Sequence, residues 1–361
     1  MNYKKLYDHP LYLEDLFYIS GIDLPWHMLN NATVFISGAT GMLGSMLIDV
    51  LLLANESSGL NCTIIAAGRS AEKFNNRFEH WQKYWNKSLR FYECDINQPF
   101  ADSIIHKKID YIIHLASNTH PVAYATDPVG TILANIYGTK NLLDLHVKTG
   151  CHRFVFASSN EIYGENRGDT EFFNEEYCGY IDCNTLRAGY PESKRCGEAL
   201  CQAYIKQFEI DAVIARFTRT YGPTLLPTDT KALTQFLRNA LSNEDIILKS
   251  SGTQFYSYTY AADAIVGLLT VLLKGEKGQA YNIADEQSDI QLKDLAAIIA
   301  AQVGKAVVFD LPNATEKEGF SKATKARLNS DKLKKLGWFL KYPVDKGIER
   351  TVKILSTCGE M

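Results

Sequence analysis

Thr33 to Ser45 reads TVFISGATGMLGS, and this stretch decides the fold. Thr33–Ser37 is a short β-branched and apolar run that predicts a buried strand; Gly38, Gly41 and Gly44 come after it; an apolar segment of helical spacing, Met46 to Leu53, is next. A glycine-rich turn between a strand and a helix lets the backbone approach a pyrophosphate. The free N–H groups and partial positive charge of the helix N-terminus then hold that anion. An ordinary tight turn does not need three glycines at this spacing. The turn residues Gly38, Thr40, Gly41, Met42, Leu43 and Gly44 are therefore expected to cradle a dinucleotide.

Outward from this turn the same alternation continues. Cys62–Ala67, Leu89–Glu93, Tyr111–His114, Arg153–Ala157 and Ala212–Ala215 read as strands, with helix-length amphipathic segments between them. Strands alternating with helices predict an α/β protein, a Rossmann-type doubly wound parallel sheet. Residues 1–30 read as a short helical lead-in and 31–223 as the dinucleotide-binding domain with the catalytic residues. Past Pro223 the alternation breaks down. Helical segments Lys231–Leu241, Ala262–Lys274 and Leu292–Val303, with strand-like pieces Ile246–Lys249 and Ala306–Asp310, predict a smaller substrate-binding lobe over 224–361.

The chain has 361 residues, 46 % of them hydrophobic, enough for a large core. A net charge of −3 offers no basic stripe for nucleic acid. Its longest apolar run, Met46–Ala54, already contains Asp49, so no membrane span is expected, and no signal peptide is legible. Eight cysteines without a CxxC pair read as free thiols of a cytoplasmic protein, with Cys196 and Cys201 on an amphipathic helix as small hydrophobes. No His/Cys/Asp/Glu set has metal-ligand spacing.

The second strand ends in Gly68-Arg69-Ser70 with no acidic residue to chelate an adenosine ribose. Arg69 can pair with a 2′-phosphate, which tips NAD(P) toward NADP, or it merely stacks on adenine in solvent. Asp95, with Ile96 after the third strand, is expected to accept a hydrogen bond from the adenine amino group. Leu115, Ala116 and Ser117, after His114, should pass beneath the dinucleotide.

Tyr190-Pro191-Glu192-Ser193-Lys194 opens a helix, and its Tyr and Lys share one face. Tyrosine, with a pKa of ~10, is a poor base at neutral pH unless a neighbouring ammonium favours the phenolate. Upstream, the strand Arg153–Ala157 is followed by Ser158-Ser159, where a hydroxyl can bond the oxygen that Tyr190 deprotonates. His120 is a loop residue with either a substrate contact or a plain surface role. The tyrosine-rich stretch Phe255–Tyr260 reads as a packed strand.

These pieces together are similar to the NAD-dependent epimerase/dehydratase family of extended short-chain dehydrogenases, which act on nucleotide sugars. The Gly-x-x-Gly-x-x-Gly turn, HLAS, Asn135 to Thr139, SSNEIYG, YPESK, RFTRTYGP (Arg216–Pro223) and the segment ending in YAAD carry the resemblance, over roughly residues 33 to 345. It implies Ser159, Tyr190, Lys194 and Asn135 as the catalytic set, a homodimer, and a 4-keto intermediate formed by reversible hydride transfer to NAD(P). The fate of the oxidised sugar depends on Asn160 and Glu161. Family dehydratases carry Asp-Glu there, and an amide cannot protonate a departing hydroxyl. Decarboxylases carry Ser-Glu, with an arginine before the tyrosine as in Arg187 and a glutamate as in Glu198. Where members carry arginine this chain has Tyr256, and where they carry asparagine it has Arg219, so one charge has exchanged places. The main expectation is a nucleotide-sugar epimerase. Alternatives are a decarboxylase or 4,6-dehydratase using Glu161, an NADPH-dependent keto-sugar reductase, and a non-catalytic dinucleotide-binding regulator. The substrate contacts expected are Ser159, Asn160, Glu161, Arg187, Arg219, Tyr256 and His120.

Overall fold

Every segment expected to be extended is a strand in the computed structural model, which describes residues 2–119, 121–310 and 324–359. The first six are β1 (Thr33–Ser37), β2 (Thr63–Gly68), β3 (Leu89–Glu93), β4 (Tyr111–His114), β5 (Arg153–Ser159) and β6 (Ala212–Phe217). Then come β7 (Arg219–Tyr221), β8 (Ile246–Leu248), β9 (Phe255–Tyr260), β10 (Ala280–Ile283), β11 (Asp289–Gln291), β12 (Val307–Phe309) and β13 (Lys325–Ala326). The main sheet has the order β10-β6-β5-β4-β1-β2-β3, and every pair in it is parallel. Period-two alternation divides each central strand between two core layers. Val34 and Ile36 pack into one and Phe35 into the other; Val155 and Ala157 part from Phe154 and Phe156 in the same way.

Strand order fixes where a ligand can lie. The chain winds from β1 outward to β3, then returns to lay β4 on the other side of β1, opening a crevice between their C-terminal ends. β5 runs two residues beyond its expected end because Ser158 and Ser159 keep pairing with Arg216 and Phe217 of β6. Both serines thus sit on a strand and not on a loop.

The helix Gly189–Phe208 lies close against β5. A Cβ on Gly197 would stand 2.4 Å from the Phe156 ring, so glycine there sets the separation. Past residue 223, β10 returns to the main sheet beside β6, while β9 gathers β7, β11 and β13 into a second sheet and β8 pairs with β12. Three helices of this part, Ala232–Leu241, Ala261–Lys274 and Leu292–Gln302, end within one residue of the sequence expectation, while the short helix Asp331–Lys334 and the last helix, Val344–Cys358, were not expected.

The N-terminal lead-in is two helices, Tyr3–Asp8 and Pro10–Ser20, started by the Asn2 side chain and by His9 with Pro10. Leu6, Tyr12, Leu16 and Ile19 are fully buried, so this segment belongs to the core. Among the described residues no helix is long and apolar enough to cross a membrane, and all eight cysteines are free.

Candidate active site

The glycine turn is as tight as its composition suggests. Gly38 has φ +71°, and a Cβ there would meet Ala116 N at 2.7 Å and the Leu115 carbonyl carbon at 2.8 Å. On Gly44 it would stand 2.3 Å from the Gly38 oxygen. Gly41 precedes the helix Met42–Ser58, whose N-terminus no side chain caps. Its first-turn N–H groups are left for a ligand, and Gly38, Gly41, Met42, Leu43 and Gly44 border a cavity of about 710 Å³. An uncapped helix end over a side-chain-free turn fits a dinucleotide pyrophosphate.

Beneath the turn, buried polar groups tie β1 to β4. Ser37 Oγ lies 2.8 Å from His114 Nδ1 and accepts from Ala116 N at 3.3 Å; His114 Nε2 lies 3.2 Å from Thr139 Oγ1. Burial, and then the Lys194 charge, push the His114 pKa down to about 3, so this imidazole is neutral.

At the other side of the crevice stand the catalytic candidates. Tyr190 and Lys194 are buried on one face of the helix Gly189–Phe208, and Ser159 borders the cavity with them. Burial, then the Glu161 carboxylate, raises the Tyr190 pKa above the ordinary phenol value; Ser159 and Arg187 oppose that rise. Lys194 Nζ donates to the Ala157 carbonyl at 2.8 Å, and burial pushes its pKa down to about 7, with Glu198 pulling the other way. Asn135 does not border the cavity. Fully buried, it accepts from Ser117 Oγ at 2.7 Å and donates to Ser193 Oγ at 2.9 Å, and Ser193 Oγ donates to Tyr190 O at 2.8 Å. It steadies the first turn of the tyrosine helix.

Ser159, Asn160, Glu161, Arg187, Arg219 and Tyr256 all border the same cavity. Arg187 Nη2 bonds Glu161 at 2.8 Å, and its guanidinium lies 4.7 Å over the Tyr124 ring. Tyr124 stacks in turn on Tyr190, with ring centroids 4.9 Å apart. The Arg219 guanidinium sits 3.4 Å from the Tyr256 ring centroid. Tyr124 was not anticipated. Only its position in the stretch after HLAS hinted at it, and no spacing there is specific.

Other expected contacts fall elsewhere. Arg69 and Asp95 are exposed beyond the ends of β2 and β3 and do not line the cavity; Thr40 and Ala116, half-buried after β1 and β4, do not line it either. Ile96 packs where a Cβ on Gly138 would be, 2.6 Å from its Cδ1, so it holds the loop after β3 to the helix Pro128–Thr149. His120 lies outside the described residues. Glu198, which fits the decarboxylase sequence pattern, accepts from Ser158 Oγ at 2.5 Å and pairs with Arg216 at 2.7 Å. It braces β5 against β6.

The sequence profile of the NAD dependent epimerase/dehydratase family matches residues 34–284. The chain is 29 % identical over 319 residues to UDP-glucuronic acid decarboxylase 1 of Xenopus tropicalis, spanning 88 % of this chain and 71 % of that protein. It is 30 % identical over 258 residues to dTDP-D-glucose 4,6-dehydratase of Mus musculus, 68 % of each chain. Among solved structures, the UDP-glucuronic acid 4-epimerase from Bacillus cereus, in complex with UDP-glucuronic acid and NAD, superposes with a TM-score of 0.75. That match has 21 % identity and covers 90 % of this chain and 98 % of the epimerase.

Proposed function

The chain belongs to the NAD-dependent epimerase/dehydratase family and is an enzyme, and from that premise we propose that it converts a nucleotide sugar through a 4-keto intermediate, acting as an epimerase. The observation that carries this reading is the convergence of Ser159, Tyr190 and Lys194 on one cavity with the glycine turn. When bound, the nicotinamide takes the hydride from the sugar and returns it. The chain's residues handle the rest. Gly38, Gly41 and the helix end behind them hold the pyrophosphate; Ser159 donates to the sugar oxygen; Tyr190 takes its proton. A buried phenol near Glu161 resists ionising, so an ammonium on Lys194, whose Nζ lies 6.0 Å from the Tyr190 ring centroid, would favour the phenolate that accepts the proton. Arg69 and the lack of an acidic residue after β2 admit NADP beside NAD. Extraction of the bound dinucleotide decides between them.

After oxidation the side chains favour little bond breaking. Asn160 has no proton to give a departing hydroxyl, which argues against dehydration. Epimerisation needs only the oxidation pair and space for the ketone to present its other face. Decarboxylation is the second reading, favoured by Glu161 at the cavity wall and by relatives such as the Xenopus tropicalis protein. We further propose a homodimer through the helix Pro128–Thr149. Val129, Leu133 and Tyr137, spaced by four, expose 65 %, 36 % and 49 % of their surface there.

Incubation with UDP-, GDP-, CDP- and dTDP-sugars, with the products read by mass spectrometry and NMR, tests the proposal. Unchanged mass with inverted C4 supports epimerisation; loss of CO2 supports the second reading; NADPH consumed in step with product makes the enzyme a reductase. Glu161→Gln separates the roles of that carboxylate. Full turnover leaves it as the Arg187 counter-ion, whereas a loss of ~10²-fold or more identifies a base.

A further inference from the structure

Of the side chains assigned to the oxidation, Ser159 and Lys194 have evident supports. Ser159 is fixed by the pairing of β5 with β6, and its Oγ accepts from Glu161 N at 3.2 Å. Lys194 is anchored on the Ala157 carbonyl at 2.8 Å. Tyr190 is harder to hold, because its hydroxyl stands at the far end of a rigid ring. A swing of about 10° about the Cα–Cβ bond carries that oxygen about 1 Å, and a misplacement of this size costs about 10²-fold in rate. The helix backbone alone does not prevent such a swing.

What bears on the ring is Tyr124, from the helix Pro121–Thr126. The two rings stack with centroids 4.9 Å and planes 29° apart, and Tyr124 is the one aromatic ring against Tyr190 among the described residues. Tyr124 is itself buried, and its ring lies 4.7 Å from the Arg187 guanidinium. Arg187 Nη2 in turn bonds Glu161 at 2.8 Å, which keeps the guanidinium from turning away from the aromatic face that attracts it. Tyr124 is thus held by a side chain that is tied to the turn after β5. A tyrosine that only fills space has apolar neighbours; this one borders the cavity and touches the proton acceptor. We propose that Tyr124 is a positioning residue: anchored by Arg187, it stacks on Tyr190 and holds the phenol oxygen where it takes the sugar proton. This inference rests on the reading of Tyr190 as proton acceptor given above. The ring does the positioning, so the Tyr124 hydroxyl is dispensable, which separates this role from a direct contact with the sugar.

Steady-state kinetics on the fastest substrate of the UDP-, GDP-, CDP- and dTDP-sugar panel, with crystal structures of the dinucleotide-loaded variants, test the proposal. Tyr124→Leu should lower kcat about 10- to 100-fold with KM within about 3-fold of wild type, and its Tyr190 should occupy more than one rotamer. Tyr124→Met, equally without a ring, takes its place if Tyr124→Leu fails to retain its dinucleotide. Tyr124→Phe restores the ring and should recover kcat to within about 3-fold of wild type, with Tyr190 in its wild-type pose. Either a wild-type kcat or a single, unchanged Tyr190 pose in Tyr124→Leu overturns the inference. So does a Tyr124→Phe variant as slow as Tyr124→Leu, since the hydroxyl then serves the substrate, and so does a rise in KM alone. If wild type turns over no sugar of the panel, the nucleotide-sugar reading falls, and the Tyr190 pose in Tyr124→Leu decides the inference by itself.

Discussion

Lys194 answers to two opposed demands. Catalysis wants an ammonium beside Tyr190, while burial pushes the amine down to about 7 from an ordinary 10.5. The unfolded chain keeps that proton up to about 10.5 and the folded chain only to about 7, so the unfolded state binds more protons between those values. The lysine's contribution to stability therefore rises with pH across that window and is least favourable at pH 7 and below. Lys194→Met, close in volume, should abolish turnover yet raise the unfolding temperature, with the gain largest near pH 7 and shrinking toward 10.5; thermal unfolding over that range checks it. Tyr190→Phe should lower kcat by about 10²- to 10⁴-fold while dinucleotide content stays the same, because only the proton acceptor is lost. Both residues were legible in the sequence, since helical spacing alone brings positions four apart onto one face. Tyr124 over Tyr190 and Arg219 on Tyr256 were not: each contact joins segments that only the tertiary fold brings together.

At the scale of elements, Asp49 shows how much a local reading can miss. In the sequence it is a polar interruption of the apolar helix behind the glycine turn. In the fold it accepts hydrogen bonds from Tyr12 at 2.6 Å, Arg77 at 2.5 Å and Trp81 at 2.8 Å, with His80 at 3.3 Å. It thereby ties the N-terminal helices and the segment after β2 to the dinucleotide helix. Burial alone would raise its pKa, but Arg77 and His80 outweigh it and hold the carboxyl below the usual 3.8. Its contribution to stability is thus complete above that value and lost as the pH falls further. Asp49→Asn should leave Arg77 buried and uncompensated, costing about 3–5 kcal/mol in urea unfolding although the substitution lies outside the cavity. The first six strands, by contrast, were readable to within two residues at each end, because most of them are buried on both faces and written as apolar runs, whereas β10, which completes the main sheet beside β6, was not expected. The extra length of β5 was not readable either, since Ser158 and Ser159 are kept extended only by pairing with β6.

For the whole molecule, the return of the chain from β3 to β4 makes the crevice, and the alternation of strands and helices predicted that architecture. It did not predict that the first thirty residues are core. Beyond Leu6, Tyr12, Leu16 and Ile19, this segment brings Asp15, which accepts from Tyr260 at 2.5 Å and Arg350 at 2.7 Å, joining the first helices to β9 and the last helix. A chain beginning at residue 31 should lose its cooperative thermal transition; an unfolding temperature equal to that of the full chain would refute this role. The glycine turn and the Ser159, Tyr190, Lys194 group are united by one claim, that a hydride leaves C4 of a nucleotide sugar and comes back to it within a single binding event. The direct measurement is turnover of a nucleotide sugar deuterated at C4, read by mass spectrometry of the product and absorbance at 340 nm. Deuterium retained in the product, with no net change in reduced dinucleotide, is the predicted result. Deuterium lost to solvent, or reduced dinucleotide rising or falling in proportion to product, would contradict it.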